Sequence, residues 1–235
     1  MKYAVAFGLM SAAFAAGAIS YPGAAVIMIW AAISFGCVAL GYGGLGIRIF
    51  GRTADGRISW PSKILLLPYL LYSWIIWHLC RVVIREDAYN RIDDNLVIGR
   101  RLLAKEIPDG FDHYVDLTAE FEDPPSIRSR KSYRSFPILD ASVPFEEDLE
   151  QAADAVKTGK AYVHCAQGHG RTGLFALALL IHRGRIETID EGIALLKSLR
   201  PALNLNREQV CFIERYLQRK QTKTHHRAGE ANHPR

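Results

Sequence analysis

The sequence lacks charge over its first fifth. No Asp, Glu, Lys or Arg occurs from Tyr3 to Ile47 in a chain of 235 residues. A helix of a soluble protein carries a polar face, so this absence disfavours two buried core helices of a soluble protein. One bilayer crossing needs only about 20 apolar residues, so the run is long enough for two. Tyr21-Pro22-Gly23 divides it, because proline does not continue a helix and glycine suits a turn. The pattern predicts a two-helix transmembrane hairpin over residues 1–47, with helices near 3–20 and 24–45.

A secretory signal peptide is the alternative interpretation of the first segment, since Ala13, Ala15 and Ala16 could mimic a cleavage site. The hairpin is favoured because Lys2 is the only basic residue before the apolar run and a second apolar segment follows at once. The central turn carries no basic residue, whereas both flanks do. The flanking bases are Lys2 on one side and Arg48, Arg52, Arg57 and Lys63 on the other. Both ends of the hairpin are therefore predicted to be cytoplasmic.

Residues 48–85 combine a basic loop with a third apolar stretch, 64–80. This stretch contains Pro68 and several amphipathic rings, among them Trp74 and Trp77. Such rings favour the headgroup level of a bilayer, which predicts an interfacial or re-entrant helix. Two alternatives stay open: a third span, which would change the side on which the following domain lies, and a core helix of the soluble domain.

Cysteine is scarce, and its spacing shows no pairs. The four cysteines are Cys37, Cys80, Cys165 and Cys211. This pattern argues against a disulfide scaffold and fits a reducing compartment. It agrees with a multi-pass protein of the inner or plasma membrane whose soluble domain faces the cytoplasm. We expect a membrane partner and no nucleic-acid partner.

Residues 86–218 alternate short apolar runs with helical patterns. Candidate strands are 95–98, 113–117, 134–139 and 161–164, and candidate helices lie near 144–158, 171–182, 189–200 and 207–219. Thr188 with Glu191, and Asn206 with Gln209, have the spacing of helix capping boxes. The pattern predicts an α/β domain with a central sheet flanked by helices. Residues 219–235 are basic and polar, which predicts a disordered tail.

A glycine-containing loop joins the predicted strand 161–164 to the helix 171–182, within the sequence HCAQGHGRTG of residues 164–173. The backbone N–H groups of such a loop, together with a helix N-terminus, form an anion site. Glycines let the backbone wrap closely, and an arginine offers a planar fork that matches two phosphate oxygens. The predicted phosphate-binding residues are Ala166, Gln167, Gly168, His169, Gly170 and Arg171.

Cys165 lies at the base of this loop, where the same field that binds phosphate favours a thiolate nucleophile. His164 would fix the loop and bias the thiolate, and Thr172 could place a hydroxyl near the sulfur to ease its departure. Alternatives are a metal site formed by His164, Cys165 and His169, or a glycine turn with an incidental thiol. The metal site is disfavoured because no second ligand cluster lies nearby in the sequence.

His-Cys-x-x-Gly-x-x-Arg-Thr resembles the active-site signature of the cysteine-dependent protein tyrosine phosphatases. The short domain over 86–218 resembles their dual-specificity branch. The resemblance implies that Cys165 attacks phosphorus and that Arg171 and the loop amides hold the equatorial oxygens. Water then hydrolyses the cysteinyl-phosphate, and neither a metal nor another cofactor is required.

The family also uses a general acid on a separate upstream loop. The sequence FPILDASVP, residues 136–144, resembles this loop and makes Asp140 the candidate acid. A capping or turn aspartate is the alternative interpretation of Asp140. Glu147 and Asp148 are better explained by the dipole of the helix that they open.

The expected substrate is a phosphomonoester on a protein or a membrane lipid at the bilayer surface. Positions 166, 167 and 169 carry no lysine, which disfavours a polyphosphorylated inositol headgroup but not a simple lipid phosphate. An alternative of another class is a membrane-tethered module that binds phosphate without turnover. The sequence does not distinguish protein from lipid substrates.

Overall fold

The structure is a computed structural model that describes residues 2–231, with side chains described for residues 2–222. Its helices are α1 (Lys2–Ser20), α2 (Ala25–Leu40), α3 (Trp60–Val83), α4 (Pro125–Arg128), α5 (Glu146–Ala155), α6 (Gly170–His182), α7 (Ile189–Leu199) and α8 (Arg207–Ala231). Its strands are β1 (Tyr89–Arg91), β2 (Leu96–Arg100), β3 (His113–Thr118), β4 (Tyr133–Ile138) and β5 (Ala161–Cys165).

The chain forms two compact units. Unit 1 contains Met1–Glu86 and Thr118–Leu139, and unit 2 contains Asp87–Leu117 and Asp140–Arg235. Unit 2 carries strands β1, β2 and β5, β3 up to Leu117, and the loop that follows β5. Unit 1 carries the apolar helices together with α4 and β4.

The helical break predicted at the Pro22 turn is confirmed. Helix α1 ends at Ser20, and a short 3-10 turn, Pro22–Ala24, leads into α2. Helix α2 ends at Leu40, earlier than the predicted 45, because the glycine-rich segment Gly41–Leu45 leaves α-helical geometry. By length and composition, three stretches of the described residues could cross a membrane: Lys2–Ser20, Pro22–Phe50 and Trp60–Val83.

Helix α3 continues through Pro68 without interruption. A side chain of α2 supplies the hydrogen bond that Pro68 cannot donate. Proline has no N–H, so Pro68 cannot donate to the carbonyl oxygen of Ile64, its ordinary acceptor in an α-helix. The indole Nε1 of Trp30 donates to this oxygen at 2.9 Å. One residue further along, Tyr69 N donates to Ser34 Oγ at 3.2 Å. A neighbouring helix thus supplies hydrogen bonds beside the proline.

Unit 2 is built on a mixed sheet. Strand β1 pairs antiparallel with β2, while β5 pairs parallel with β2 on one side and with β3 on the other. Strand β5 is buried at every position, as expected of a parallel strand inside an α/β domain. The sequence analysis missed β1 because it has only three residues. The α/β prediction with flanking helices is confirmed.

The helices of unit 2 begin where the capping pattern predicts. Asn206 and Gln209 form a reciprocal capping box, in which Gln209 N donates to Asn206 Oδ1 at 2.9 Å and Asn206 N donates to Gln209 Oε1 at 3.2 Å. Thr188 caps α7 by accepting a hydrogen bond from Glu191 N at 3.2 Å. Unlike the prediction, the Glu191 carboxylate accepts from Glu187 N and not from the cap residue.

The predicted disordered tail differs from the structure over 219–231. These residues continue α8 as far as Ala231. Most of them are helix-forming Gln, Lys, Arg, Ala and Glu, and the first proline comes only at position 234. Residues 232–235 lie outside the described part of the chain.

Candidate active site

The predicted nucleophile lies where β5 ends. Cys165 is the last residue of the strand and is 3% exposed. Residues 166–169 form the loop, and α6 starts at Gly170, so the loop leads directly to a helix N-terminus. Gly168 N donates to Cys165 Sγ across a distance of 3.3 Å. The structure thus brings the sulfur, a loop amide and a helix N-terminus together, as the sequence predicts.

Gly168 is required by its backbone conformation and by the space around it. Its φ is +77°, in the region that favours glycine. A Cβ at this position would collide with the carbonyl group of Gly99 and lie 2.8 Å from Arg100 N. The loop therefore lies directly against the backbone at the end of β2. Any side chain at position 168 would force this contact apart.

Arg200 determines which way the loop peptides point. This residue is 1% exposed, and its guanidinium donates to the carbonyl oxygens of Gln167 and Gly168, each at 2.9 Å. The carbonyl and amide of one peptide point in opposite directions. Tying Gln167 O to Arg200 therefore turns the partner amide, Gly168 N, toward Cys165 Sγ.

Two further contacts hold Arg200 in place. Its Nη1 atom donates to Asp87 O at 3.1 Å and to Asn90 Oδ1 at 2.8 Å. Asn90 belongs to the short strand β1 that sequence analysis did not find. Arg200 itself lies 35 residues beyond Cys165 in the sequence, and its position before Pro201 marks only the end of a helix. No local sequence signal identified it as a residue of the site.

Arg171 and Asp140 form an ion pair beside the loop. Arg171 Nε lies 3.2 Å from Asp140 Oδ1. The arginine side chain is only 2% exposed, whereas that of Asp140 is 60% exposed. The predicted acid is therefore close to the predicted phosphate-binding arginine and is open to an incoming substrate. Arg171 comes from the first turn of α6, and Asp140 follows β4 by two residues.

The capping box of α8 also holds the backbone after Asp140. Asn206 Nδ2 donates to Ala141 O at 2.7 Å, and Gln209 Nε2 donates to Ser142 O at 3.2 Å. Ala141 has a φ of +55°, which makes it the only non-glycine residue with a positive φ in the described chain. A residue without a glycine's freedom adopts this conformation only when its surroundings hold it there. The two amide side chains are the visible restraint.

The remaining predicted residues occupy the expected positions. His164 is 1% exposed on β5, and its ring lies 5.6 Å from that of Tyr162 between centroids. Thr172 is fully buried, and its hydroxyl has no hydrogen-bond partner among the described residues. The predicted contact between this hydroxyl and Cys165 is therefore not formed as a hydrogen bond.

Ala166, Gln167 and His169 complete the loop, with Ala166 buried and the other two partly exposed. Gly170 has little free space, because a Cβ there would lie 3.0 Å from Gln209 Oε1. Asp116 is buried on β3 and faces His164 in the strand register.

Comparison with solved structures finds proteins of the same fold. The crystal structure of PTPMT1 in complex with PI(5)P matches 59% of the chain and 99% of its own length, with a TM-score of 0.52 and 16% identity. A mutant form of Tk-PTP matches 57% of the chain and 97% of its own length, with a TM-score of 0.50 and 21% identity. The chain has the protein tyrosine phosphatase fold of the short, dual-specificity kind.

Sequence comparison adds a viral relative. A protein of Invertebrate iridescent virus 6 named as tyrosine phosphatase 197R is 35% identical over 83 residues. The matched stretch is 30% of this chain, and the chain covers only 31% of the viral protein. No family model matches the chain.

Proposed function

We propose that this protein is a membrane-anchored, cysteine-dependent phosphatase that hydrolyses phosphomonoesters through a cysteinyl-phosphate. The observation that carries the proposal is the grouping of four elements at the start of α6. These are the Cys165 sulfur, the Gly168 amide directed at it, the buried Arg171 and the exposed Asp140 carboxylate. A nucleophile, oxyanion donors and an acid are the groups that phosphomonoester hydrolysis requires.

In the first step, the Cys165 thiolate attacks phosphorus and the ester P–O bond breaks. Arg171 and the loop amides hold the equatorial phosphoryl oxygens, where negative charge is concentrated. The phosphate dianion replaces Asp140 as the partner of Arg171, which frees the acid to face the leaving oxygen. Once released from the ion pair, Asp140 takes up a proton from solvent and donates it to that oxygen, so the alcohol leaves neutral.

In the second step, water displaces the sulfur. Asp140, now a carboxylate, takes a proton from the water as it attacks phosphorus, and the S–P bond breaks. The Cys165 thiolate is regenerated and inorganic phosphate is released. The buried Thr172 hydroxyl, which has no hydrogen-bond partner among the described residues, is available to donate to the departing sulfur. The cycle needs no metal ion or organic cofactor.

The exposed apolar helices support the membrane anchor. Helix α1 has no buried residue, and the fractional exposures of Leu9, Ile19 and Val26 are 67%, 84% and 83%. Contiguous apolar surface of this kind is costly in water and favourable in lipid. We propose a hairpin of α1 and α2 with both ends in the cytoplasm, and an interfacial α3. A maleimide reagent added outside intact cells should then label neither the exposed Cys211 nor a cysteine placed at Lys2. Labelling of only one of these positions would indicate a third span.

Substrates at the bilayer surface follow from this anchor. The panel of candidates contains phosphoprotein and phospholipid, and a phosphoinositide belongs in it because the structural relative PTPMT1 was crystallised with PI(5)P. The loop itself binds the phosphate group and does not discriminate between the molecules that carry it. A binding module without turnover is the alternative function, and Cys165 and Asp140 argue against it because binding alone needs neither a nucleophile nor an acid.

The test is phosphate release by the detergent-purified full chain. Substrates are an aryl phosphate, a phosphotyrosine peptide, phosphatidylglycerophosphate, phosphatidic acid and phosphoinositides. Cys165→Ser should abolish release and Asp140→Asn should slow it by about 10²-fold or more. Cys211→Ser, which changes an exposed cysteine, is the matched control and should leave release unchanged. Phosphate binding without release from any substrate would contradict the proposal and favour the binding module.

A further inference from the structure

Residues 118–139 pack with the N-terminal helices. This segment belongs to the same compact unit as Met1–Glu86. It begins at the last residue of β3 and ends directly before Asp140. The apolar helices therefore do more than precede the phosphatase fold in the sequence: they form one packing unit with the segment that leads to the candidate acid.

The link between α2 and α3 holds this segment by hydrogen bonds. Arg52 donates to the carbonyl oxygen of Phe121, and its Nη2 atom donates to Ser135 Oγ at 3.3 Å. The backbone N of Ile58 donates to Glu122 Oε1 at 2.5 Å. These contacts lie near the start of the segment and within β4. Arg52 thus holds the segment at both places, and the Ile58 amide adds a second hydrogen bond near its start.

An apolar cluster, which we call the helical core, joins the same parts of the chain. Its buried members are Phe35 and Val38 of α2, Phe50 of the link, Leu66 and Tyr69 of α3, and Ala119 and Leu139 of the segment 118–139. Phe35 is 3% exposed and Leu139 is 6% exposed. Ala119 lies near the start of the segment 118–139, and Leu139 is its last residue. Burial in this cluster therefore fixes where the segment starts and where it stops.

Leu139 is the residue immediately before Asp140. Consecutive Cα atoms are about 3.8 Å apart, so a buried Leu139 determines the point from which the acid loop departs. We propose that the helical core is a positioning element for Asp140, so that catalysis depends on the packing of the apolar helices as well as on the membrane attachment they provide. This inference rests on the proposed function, because it assumes that Asp140 acts as the acid.

The proposal predicts a specific kinetic signature. A displaced acid slows protonation of the leaving oxygen, and misplacement by about 1 Å can cost up to 10²-fold. The loss matters most when the departing alkoxide is a strong base. It matters little when the leaving group is stable as an anion. General destabilisation of the fold would instead lower both rates together.

The experiment compares phenyl phosphate, which has a poor leaving group, with 2,4-dinitrophenyl phosphate, which has a good one. The full chain in detergent carries Leu139→Ala or Phe35→Leu, each with and without Asp140→Asn. Ile33→Ala is the matched control, because Ile33 lies on the same helix as Phe35 but is 49% exposed. Leu139→Val is a milder substitution that serves if Leu139→Ala does not fold. Orthovanadate binding reports that the loop itself is intact.

We expect the core variants to lower kcat/KM for phenyl phosphate about ten-fold and kcat/KM for 2,4-dinitrophenyl phosphate less than about two-fold. The ratio kcat/KM is the readout because it reports only the steps through P–O cleavage, whereas Asp140 acts as the base in the later hydrolysis whatever the leaving group. In the Asp140→Asn background the same substitutions should cause no further loss, because the acid is already missing. Equal losses of kcat/KM on both substrates, or full additivity with Asp140→Asn, would overturn the inference alone. If the wild-type chain released no phosphate from either substrate, the proposed function would fail and this inference with it.

Discussion

Arg200 donates to the carbonyl oxygen of Gln167 at 2.9 Å, and the amide on the other side of the same peptide lies 3.3 Å from Cys165 Sγ. One buried guanidinium therefore orients the peptide that faces the sulfur. The same side chain holds the next carbonyl, that of Gly168. The oxyanion site consequently depends on a residue that acts on the sulfur through a loop peptide.

Arg200→Met should weaken orthovanadate binding and lower kcat by roughly 10²-fold, the typical cost of losing an oxyanion donor. Arg200→Lys should recover only part of the loss, since an ammonium cannot hold two carbonyls in the geometry of a guanidinium. Arg183→Met is the matched control. Arg183 also donates to several backbone carbonyls, among them Gly159 O and Asn95 O, but away from the loop. It should lower stability and leave vanadate affinity unchanged, and a similar loss of affinity in both variants would refute the assigned role of Arg200.

Gly168→Ala should abolish oxyanion binding. The substitution adds a methyl group that collides with the Gly99 carbonyl, besides the cost of a positive φ. Gly184→Ala separates these two effects, because Gly184 has a φ of +61° but no atom within 4 Å of an added Cβ. The control should cost about 1 kcal/mol of stability, from backbone strain alone, and keep full vanadate binding. Isothermal titration with orthovanadate measures the affinity, and thermal unfolding measures the stability of each variant. Intact binding in Gly168→Ala would disprove the steric argument.

Asn206→Ala should affect catalysis as well as stability. It removes the cap of α8 and also the hydrogen bond to Ala141 O, which restrains the backbone beside Asp140. Thr188→Ala removes the comparable cap of α7, where Thr188 Oγ1 accepts from Glu191 N at the end of the helix opposite Arg200. Each should lower stability by about 1 kcal/mol. Only Asn206→Ala should lower kcat for a poor leaving group, by about ten-fold. Equal kinetic effects of the two variants would show that the capping box does not act on the acid loop.

His182 should make the stability of the protein depend on pH. Burial lowers the pKa of His182 below its usual 6.5, nearby Lys220 lowers it further, and Asp154 opposes the shift. The unfolded chain therefore binds a proton more readily than the folded chain as pH falls below 6.5. The contribution of neutral His182 to the free energy of unfolding is therefore fully present above pH 6.5. It declines as the pH falls from 6.5 toward the pKa of His182 in the folded state. Urea unfolding at pH 5 to 8 should show a shallower decline for His182→Gln, and an unchanged slope would contradict this account.

Short-range patterns determined much of this protein. Helix α1 ended before Pro22 because the residue that precedes a proline is disfavoured in the α conformation, and the helical break is where the sequence places it. The loop residues 164–173 are contiguous, so the spacing of Cys165 and Arg171 between a strand and a helix specified their neighbourhood directly. Asn206 and Gln209 formed their capping box because both partners lie within one helical turn. Each of these features depends on bonds or contacts between residues close in sequence.

Tertiary structure decided the rest. Arg200 reached the loop only because the end of α7 packs beside it, and no local spacing encodes that approach. Trp30 donates to the carbonyl oxygen of Ile64 because α2 packs against α3 where Pro68 lacks the N–H that would otherwise bond this oxygen. Leu139 joined the apolar helices in one core across about a hundred residues of sequence. Such contacts arise from the packing of whole faces, where burial of apolar area outweighs local preference, and periodicity shows only which face is apolar and not what covers it.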